Sequence, residues 1–163
     1  MNAVELRTLD GPNLFMLRPA IKLEIAADAN DRAALHDTLA ARAWTGYAPA
    51  YGPEQIGLLT GGAVVWIAFG VGMPIPDVMY REMQEPGHVV VAFSWERRNA
   101  ARAVGKLAWR LVSGEELDLD AEFAAIRELL AAPADAEDLP EMITDDQRHV
   151  PTIGITGTNG KTT

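Results

Sequence analysis

The sequence predicts an α+β fold: a small mixed or antiparallel sheet with helices packed on one side of it. Three observations carry this. Apolar and polar residues alternate over 4–9 and over 20–25, which marks half-buried strands. A turn signal at Gln84, Glu85, Pro86 and Gly87 separates two further strand-like runs, 77–83 and 88–95. Apolar residues recur at helical spacing over 96–112 and 119–130 and supply a covering layer. A linker then leads to the first strand and phosphate loop (P-loop) of a truncated α/β nucleotide-binding domain. The boundaries are 1–131 for the first domain, 132–149 for an acidic linker and 150–163 for the start of the second domain.

The elements follow in order. Residues 4–9 form the first strand, and Asp10, Gly11, Pro12 and Asn13 form a turn, because Gly and Pro set unusual φ values and Asn tolerates them. In 20–25, Ile21, Leu23 and Ile25 share one face of a second strand, expected antiparallel to the first. Asn30 is placed to cap a helix over 31–43, with Leu35, Leu39 and Ala43 on one side. Residues 55–76 carry no charge. A bilayer span needs about 20 apolar residues. This run instead holds glycines at 57, 61, 62, 70 and 72 and prolines at 74 and 76, flanked by Glu54 and Asp77. It reads as a buried helix over 60–70, ended by Gly70 and Gly72. In the hairpin, Val89, Val91 and Phe93 point one way. The helix over 96–112 turns Ala101, Val104, Ala108 and Leu111 inward and stops at Ser113 and Gly114. The helix over 119–130 is marked by Leu119, Phe123, Ile126 and Leu130.

Composition narrows the function. Of 163 residues, 48% are apolar and 23% charged, ordinary for a globular protein. Cysteine is absent, so there is no disulfide framework and no thiolate metal site, which suits a reducing, cytoplasmic setting. The N-terminus has an early acid and no apolar core, so it does not read as a signal peptide. The net charge of −9 is local: residues 115–149 hold 12 acids and 2 bases. No basic footprint for nucleic acid remains, and no membrane role is expected.

The sharpest motif lies at 154–163. The β-branched run 150–155 reads as a buried parallel strand, and Gly157, Thr158, Asn159, Gly160, Lys161, Thr162 and Thr163 follow it. Such glycines let backbone N–H groups converge on phosphates. A following helix would aim its positive N-terminus at the same anion. Lys161 supplies a point charge for the outer phosphates, and the Thr162 hydroxyl a ligand for magnesium. ATP and Mg2+ are therefore the expected cofactors. Ile155 stands where the general phosphate-loop pattern has glycine, so the loop is a narrower variant.

That variant resembles the ATP loop of the Mur ligase family, which includes the cyanophycin synthetases. The related folylpolyglutamate synthases usually carry Gly-Ser after the lysine, so Thr162 and Thr163 lean away from them. The first domain is similar to the N-terminal domain of cyanophycin synthetases in Arg7-Thr8-Leu9-Asp10-Gly11-Pro12-Asn13, in Val71-Gly72-Met73-Pro74-Ile75, in Glu85-Pro86-Gly87 and in the strand and helix that follow. Gly11-Pro12-Asn13 is its sharp part. One departure is large: in cyanophycin synthetases an ATP-grasp domain separates these two regions, and here only the linker does. The resemblance implies an ATP-dependent ligase that phosphorylates a carboxylate and lets an amine displace the phosphate. Lys161 would then act on the transferring phosphate, and the remaining site residues would lie beyond 163. The fragment alone is expected to be inactive, and its partners are ATP and a carboxylate or amine substrate. An oligomer is compatible with the sequence. A different class, a non-catalytic module that binds substrate or a partner, competes with this reading.

Smaller signals complete the list of candidates. Arg98, Arg102, Lys106 and Arg110 recur every four residues. As a functional stripe, Arg98, Arg102 and Lys106 would cradle an anionic substrate. As a structural one, the face is solvated and meets the acidic 115–149 segment, which is the favoured account. Arg7 and Asn13 sit where substrate could reach, but Asn13 is expected to satisfy its own backbone. His36, His88 and His149 lack metal spacing and carry no evident carboxylate–His cluster, and the four tryptophans read as core.

Overall fold

A computed structural model describes residues 2–27 and 56–140, and the statements below concern those residues. Strand β1 (Asn2–Leu9) pairs antiparallel with β2 (Ala20–Ala26). Helix α1 (Ile56–Val71) leads into the hairpin of β3 (Val78–Glu82) and β4 (His88–Ser94), and helices α2 (Arg98–Val112) and α3 (Leu119–Ala131) follow. The sheet order is β1-β2-β4-β3, and every neighbouring pair is antiparallel. The predicted antiparallel sheet with helices on one face is therefore present. The helix expected over 31–43 and the strand and loop of 150–163 lie outside the described residues.

Side-chain alternation sorts the sheet into two faces. Ile21, Leu23, Ile25, Val89, Val91 and Phe93 point toward the helices and are buried. Each contributes about 1.5–3 kcal/mol on burial, so this face dominates the stability of the domain. α1 lies over β3 and β4, α2 lies over β1 and β2, and α3 packs on both helices away from the sheet. β4 is buried more fully than the one face of Val89, Val91 and Phe93 required. Its residues 89–93 are buried on both faces, as suits a central strand with an unbroken apolar run.

Glycine sets how close the helices come. A Cβ on Gly57 would stand 2.9 Å from both Val89 Cγ1 and the Tyr80 ring, and one on Gly105 would stand 3.0 Å from Leu6. α1 and α2 can rest low on the sheet only because those atoms are missing. The expected end of α1 needs correction. The helix begins a turn earlier than 60 and runs through Gly70 to Val71. Gly70 does not end it: a Cβ there would collide with the Phe123 ring of α3, so this glycine is a packing notch. Gly72, at φ 78°, makes the stop. None of the described helices is long and apolar enough to cross a membrane.

These contacts separate two glycines of one helix. Gly57→Ala should lower stability by about 1–3 kcal/mol through overpacking, despite alanine's better helix propensity. Gly62→Ala faces open space and should raise it by up to about 1 kcal/mol. Urea unfolding of the two variants reads the difference.

Candidate functional site

The antiparallel order brings three separate loops to one end of the sheet. Leu9, Ala20, Ser94 and Val78 all terminate there. The loop after β1, the loop before β3 and the β4–α2 connection are therefore neighbours. Gly11-Pro12-Asn13, the sharp part of the resemblance, and Gly72-Met73-Pro74-Ile75 both fall at this end. Glu85-Pro86-Gly87 falls at the other, where Gly87 takes φ 81° in the hairpin turn.

Hydrogen bonds bind the three loops together. Asn13 Nδ2 donates to the carbonyls of Gly11 (3.0 Å) and Arg18 (2.9 Å), and its Oδ1 accepts from the backbone of Phe15 and Met16. Asn13 thus staples its own loop, as its residue type predicts. Asp77 N donates to Ser94 Oγ, and Arg18 pairs with Asp77 at 3.0 Å. The buried Trp95 donates from Nε1 to the Leu9 carbonyl and from its backbone N to the Pro19 carbonyl, both at 3.2 Å. A shallow groove runs between Arg18, Met73, Pro74, Ile75, Trp95 and Arg97.

The start of α2 completes this end. Arg97 occupies the N-cap position in an extended conformation and caps nothing with its own side chain. The missing cap comes from Asp138. Its Oδ1 accepts from Asn99 N at 2.6 Å, its carbonyl accepts from Arg98 N, and its Oδ2 pairs with Arg97 Nε. The same guanidinium donates to the carbonyls of Leu129, Leu130 and Ala132 at the end of α3. A carboxylate thus sits at a positive helix end and a guanidinium at a negative one, and the two pair with each other. The sequence assigned 132–149 to a linker. Its described part, 132–140, is instead fastened to the domain, with Asp138 only 3% exposed. No local pattern announces this, because the partner of Asp138 is the N-terminus of a helix far back in the chain.

The predicted cationic stripe is real, and most of it is engaged. Arg98 Nη2 pairs with Asp10 and its guanidinium lies 5.4 Å from the Trp95 ring centroid. Arg102 donates to Thr8 Oγ1 at 2.8 Å. These two tie α2 to β1. Arg110 binds Glu115 and Glu122, which hold its pKa above the ordinary value, and Arg110 in turn lowers that of Glu115. Arg110 meets the acidic segment, as the structural account of the stripe expects, but Arg98 and Arg102 are half-buried against β1 where that account expected a solvated face. Lys106 is exposed and makes no ion pair with another described residue. Lys161, Thr162 and the rest of the 157–163 loop lie outside the described residues.

A second titratable group stands on the sheet face away from the helices. Lys22 Nζ bonds Glu5 (2.7 Å) and Glu24 (2.5 Å), and Glu24 reaches His88 Nδ1 at 3.0 Å. The sequence showed no carboxylate–His cluster, and here the strands make one. β2 and β4 are cross-strand neighbours, with Ala26 opposite His88, so Glu24 and His88 lie on one face two positions apart. Only the register reveals the pair. The hydrogen bonds that Glu24 accepts from Lys22 and then from His88 lower its pKa against the effect of burial. Burial works to lower the Lys22 pKa, but its bonds to Glu24 and Glu5 outweigh it and raise it. Among the described residues no group of three or more His, Asp or Glu is placed to hold a metal ion.

No protein-family model matches the sequence, and no curated protein matches it.

Two outcomes follow. Asp138→Ala should cost about 2–3 kcal/mol, since it removes a cap and half of a buried pair, and amide exchange should quicken across 132–140. The lowered Glu24 pKa implies stability that is present above the ordinary 4.5 and is lost as pH falls through the depressed value. Glu24→Gln should therefore flatten the acid limb of a urea-midpoint profile.

Proposed function

We propose that this chain is the N-terminal part of an ATP-dependent ligase of the Mur type, which joins a carboxylate to an amine through an acyl phosphate. The observation that carries this is the loop from Gly157 to Thr163 directly after a β-branched run. Glycines at 157 and 160 would leave room for backbone N–H groups to reach the phosphates. Lys161 would offset charge on the transferring phosphoryl group, and the Thr162 hydroxyl would hold Mg2+. Thr158, Asn159 and Thr163 would border the nucleotide. The magnesium ion would neutralise phosphate oxygens as charge moves between them.

The first domain supports this reading as a scaffold. Its loops are fixed to one end of a rigid sheet, a common setting for binding residues. Arg98 and Arg102 already hold β1 and Asp10, so their first role is architectural. Lys106, with its exposed ammonium, is the stripe residue best placed to meet an anionic substrate. The competing reading, a non-catalytic docking module, draws on the exposed Leu14, Leu17 and Ile75 of the loop end.

Calorimetry with Mg-ATP tests the proposal. The 163-residue chain should be silent, and a chain extended past Thr163 by a complete Mur-type nucleotide-binding domain should bind. Lys161→Ala in that longer chain should weaken binding by at least about tenfold, the loss of one charged phosphate contact. A longer chain that ignores ATP would refute the ligase reading and leave the docking module.

A further inference from the structure

One outer edge of the sheet is flanked by unbalanced positive charge. β1 is an outer strand of the described sheet, and its bulge between Ala3 and Glu5 leaves 5–9 regular. An outer strand presents unpaired backbone N–H and C=O groups along its free side. Leu6 and Thr8 lie opposite Leu23 and Ile21, on the helix side, and Arg7 lies opposite Lys22, on the other face. Arg7 is exposed and, like Lys106, makes no ion pair with another described residue. Arg102 meets the neutral Thr8 hydroxyl, which leaves its charge unbalanced. By contrast, Arg98 has Asp10 and Glu5 has Lys22.

The helix layer holds these charges beside the edge. α2 contacts β1, Arg102 bonds Thr8, and a Cβ on Gly105 would stand 3.0 Å from Leu6. α2 therefore runs back along β1, and Lys106, one turn after Arg102, lies on the same helix face. Arg102 and Lys106 flank the free edge from the helix side, and Arg7 flanks it from the other. Their spacing matches a strand. Residues i and i+4 of a helix are about 6 Å apart along its axis, and residues i and i+2 of a strand about 6.8 Å. A strand added at this edge would set two alternate side chains beneath Arg102 and Lys106, and the one between them beside Arg7. The occupant that satisfies all three is a run of three consecutive acids. The chain as a whole carries −9, so this cationic edge is a local exception. A second copy is a poor occupant, because it would set Arg102 and Lys106 against like charges.

We propose that the free edge of β1 takes an extended acidic segment of another polypeptide as an added strand. Backbone hydrogen bonds to 5–9 hold the segment, and Arg7, Arg102 and Lys106 select three acids in a row. Glu5, two positions before Arg7 on the same face, disfavours an acid opposite itself and so bounds the run on that side. The contact uses neither the 157–163 loop nor a nucleotide, so it stands or falls separately from the ligase reading.

Fluorescence anisotropy of the 163-residue chain with a labelled peptide, Thr-Val-Glu-Glu-Glu-Val-Thr, tests this. The peptide reads the same in both directions, so either strand polarity can place its acids. It should bind, and its counterpart with three lysines should not. Arg7→Glu and Lys106→Glu should each weaken binding by at least about threefold. Both side chains are exposed, so neither change should disturb folding. They flank the edge from opposite sides of the sheet, and only a ligand at that edge can answer to both. Hydrogen exchange adds a readout that charge attraction alone does not move. Amides within 5–9 should slow when the peptide is added, and those of the other outer strand, β3, should not. No binding up to about 1 mM would overturn the proposal. So would a loss with Lys106→Glu but not with Arg7→Glu, or binding that leaves the β1 amides unprotected.

Discussion

The ion pair between Arg97 and Asp138 joins the ends of two helices to the chain that follows them. It closes the N-terminus of α2 and the C-terminus of α3 and fixes the exit of the chain. Each helix end carries unsatisfied backbone groups that need a partner. Here a donor end and an acceptor end meet their complements in one buried contact. α3 packs on α1 and α2 through Trp66, Gly70 and Phe123. Those helices rest close on the sheet because Gly57 and Gly105 lack a Cβ. Remove the pair, and the outer helix loses its anchor while the segment after it loses its starting point.

The sheet order turns this local contact into a functional layout. With β2 beside β4, the ends of β1 and β4 and the starts of β2 and β3 all meet at one end. Trp95 bonds the first loop to the last strand, and Ser94 bonds the last strand to the loop before β3. Arg18 of the first loop and Met73, Pro74 and Ile75 of the loop before β3 thus line one groove. The proposed ligase reading places its chemistry in the segment that leaves from this end.

Much of the fold was legible in the sequence. The alternation over 4–9 and 20–25, the Pro86-Gly87 turn and the apolar periods of α2 and α3 each act over a few residues, so a local reading finds them. The inward set Ala101, Val104, Ala108 and Leu111 is buried as its spacing requires. Three features were illegible because they depend on partners distant in sequence. Gly70 looked like a helix stop until Phe123 was set against it. Asp138 looked like one more acid in an acidic tail. Glu24 and His88 became neighbours only through strand register. The candidate site divides in the same way. The Arg98–Arg110 stripe was visible as spacing, but its ties to Asp10, Thr8, Glu115 and Glu122 came from the tertiary fold. The 157–163 loop rests on the sequence alone.

The central claim is chemical: a carboxylate is activated by phosphorylation. Hydroxylamine trapping tests it most directly. A chain extended past Thr163 by a complete Mur-type nucleotide-binding domain would be incubated with Mg-ATP, hydroxylamine and a panel of amino acids and short peptides. The account predicts an ATP-dependent hydroxamate with at least one carboxylate, abolished by Lys161→Ala. ADP formation with no hydroxamate from any member of the panel, or phosphate transferred to a hydroxyl, would contradict it and point to another class of phosphoryl transfer.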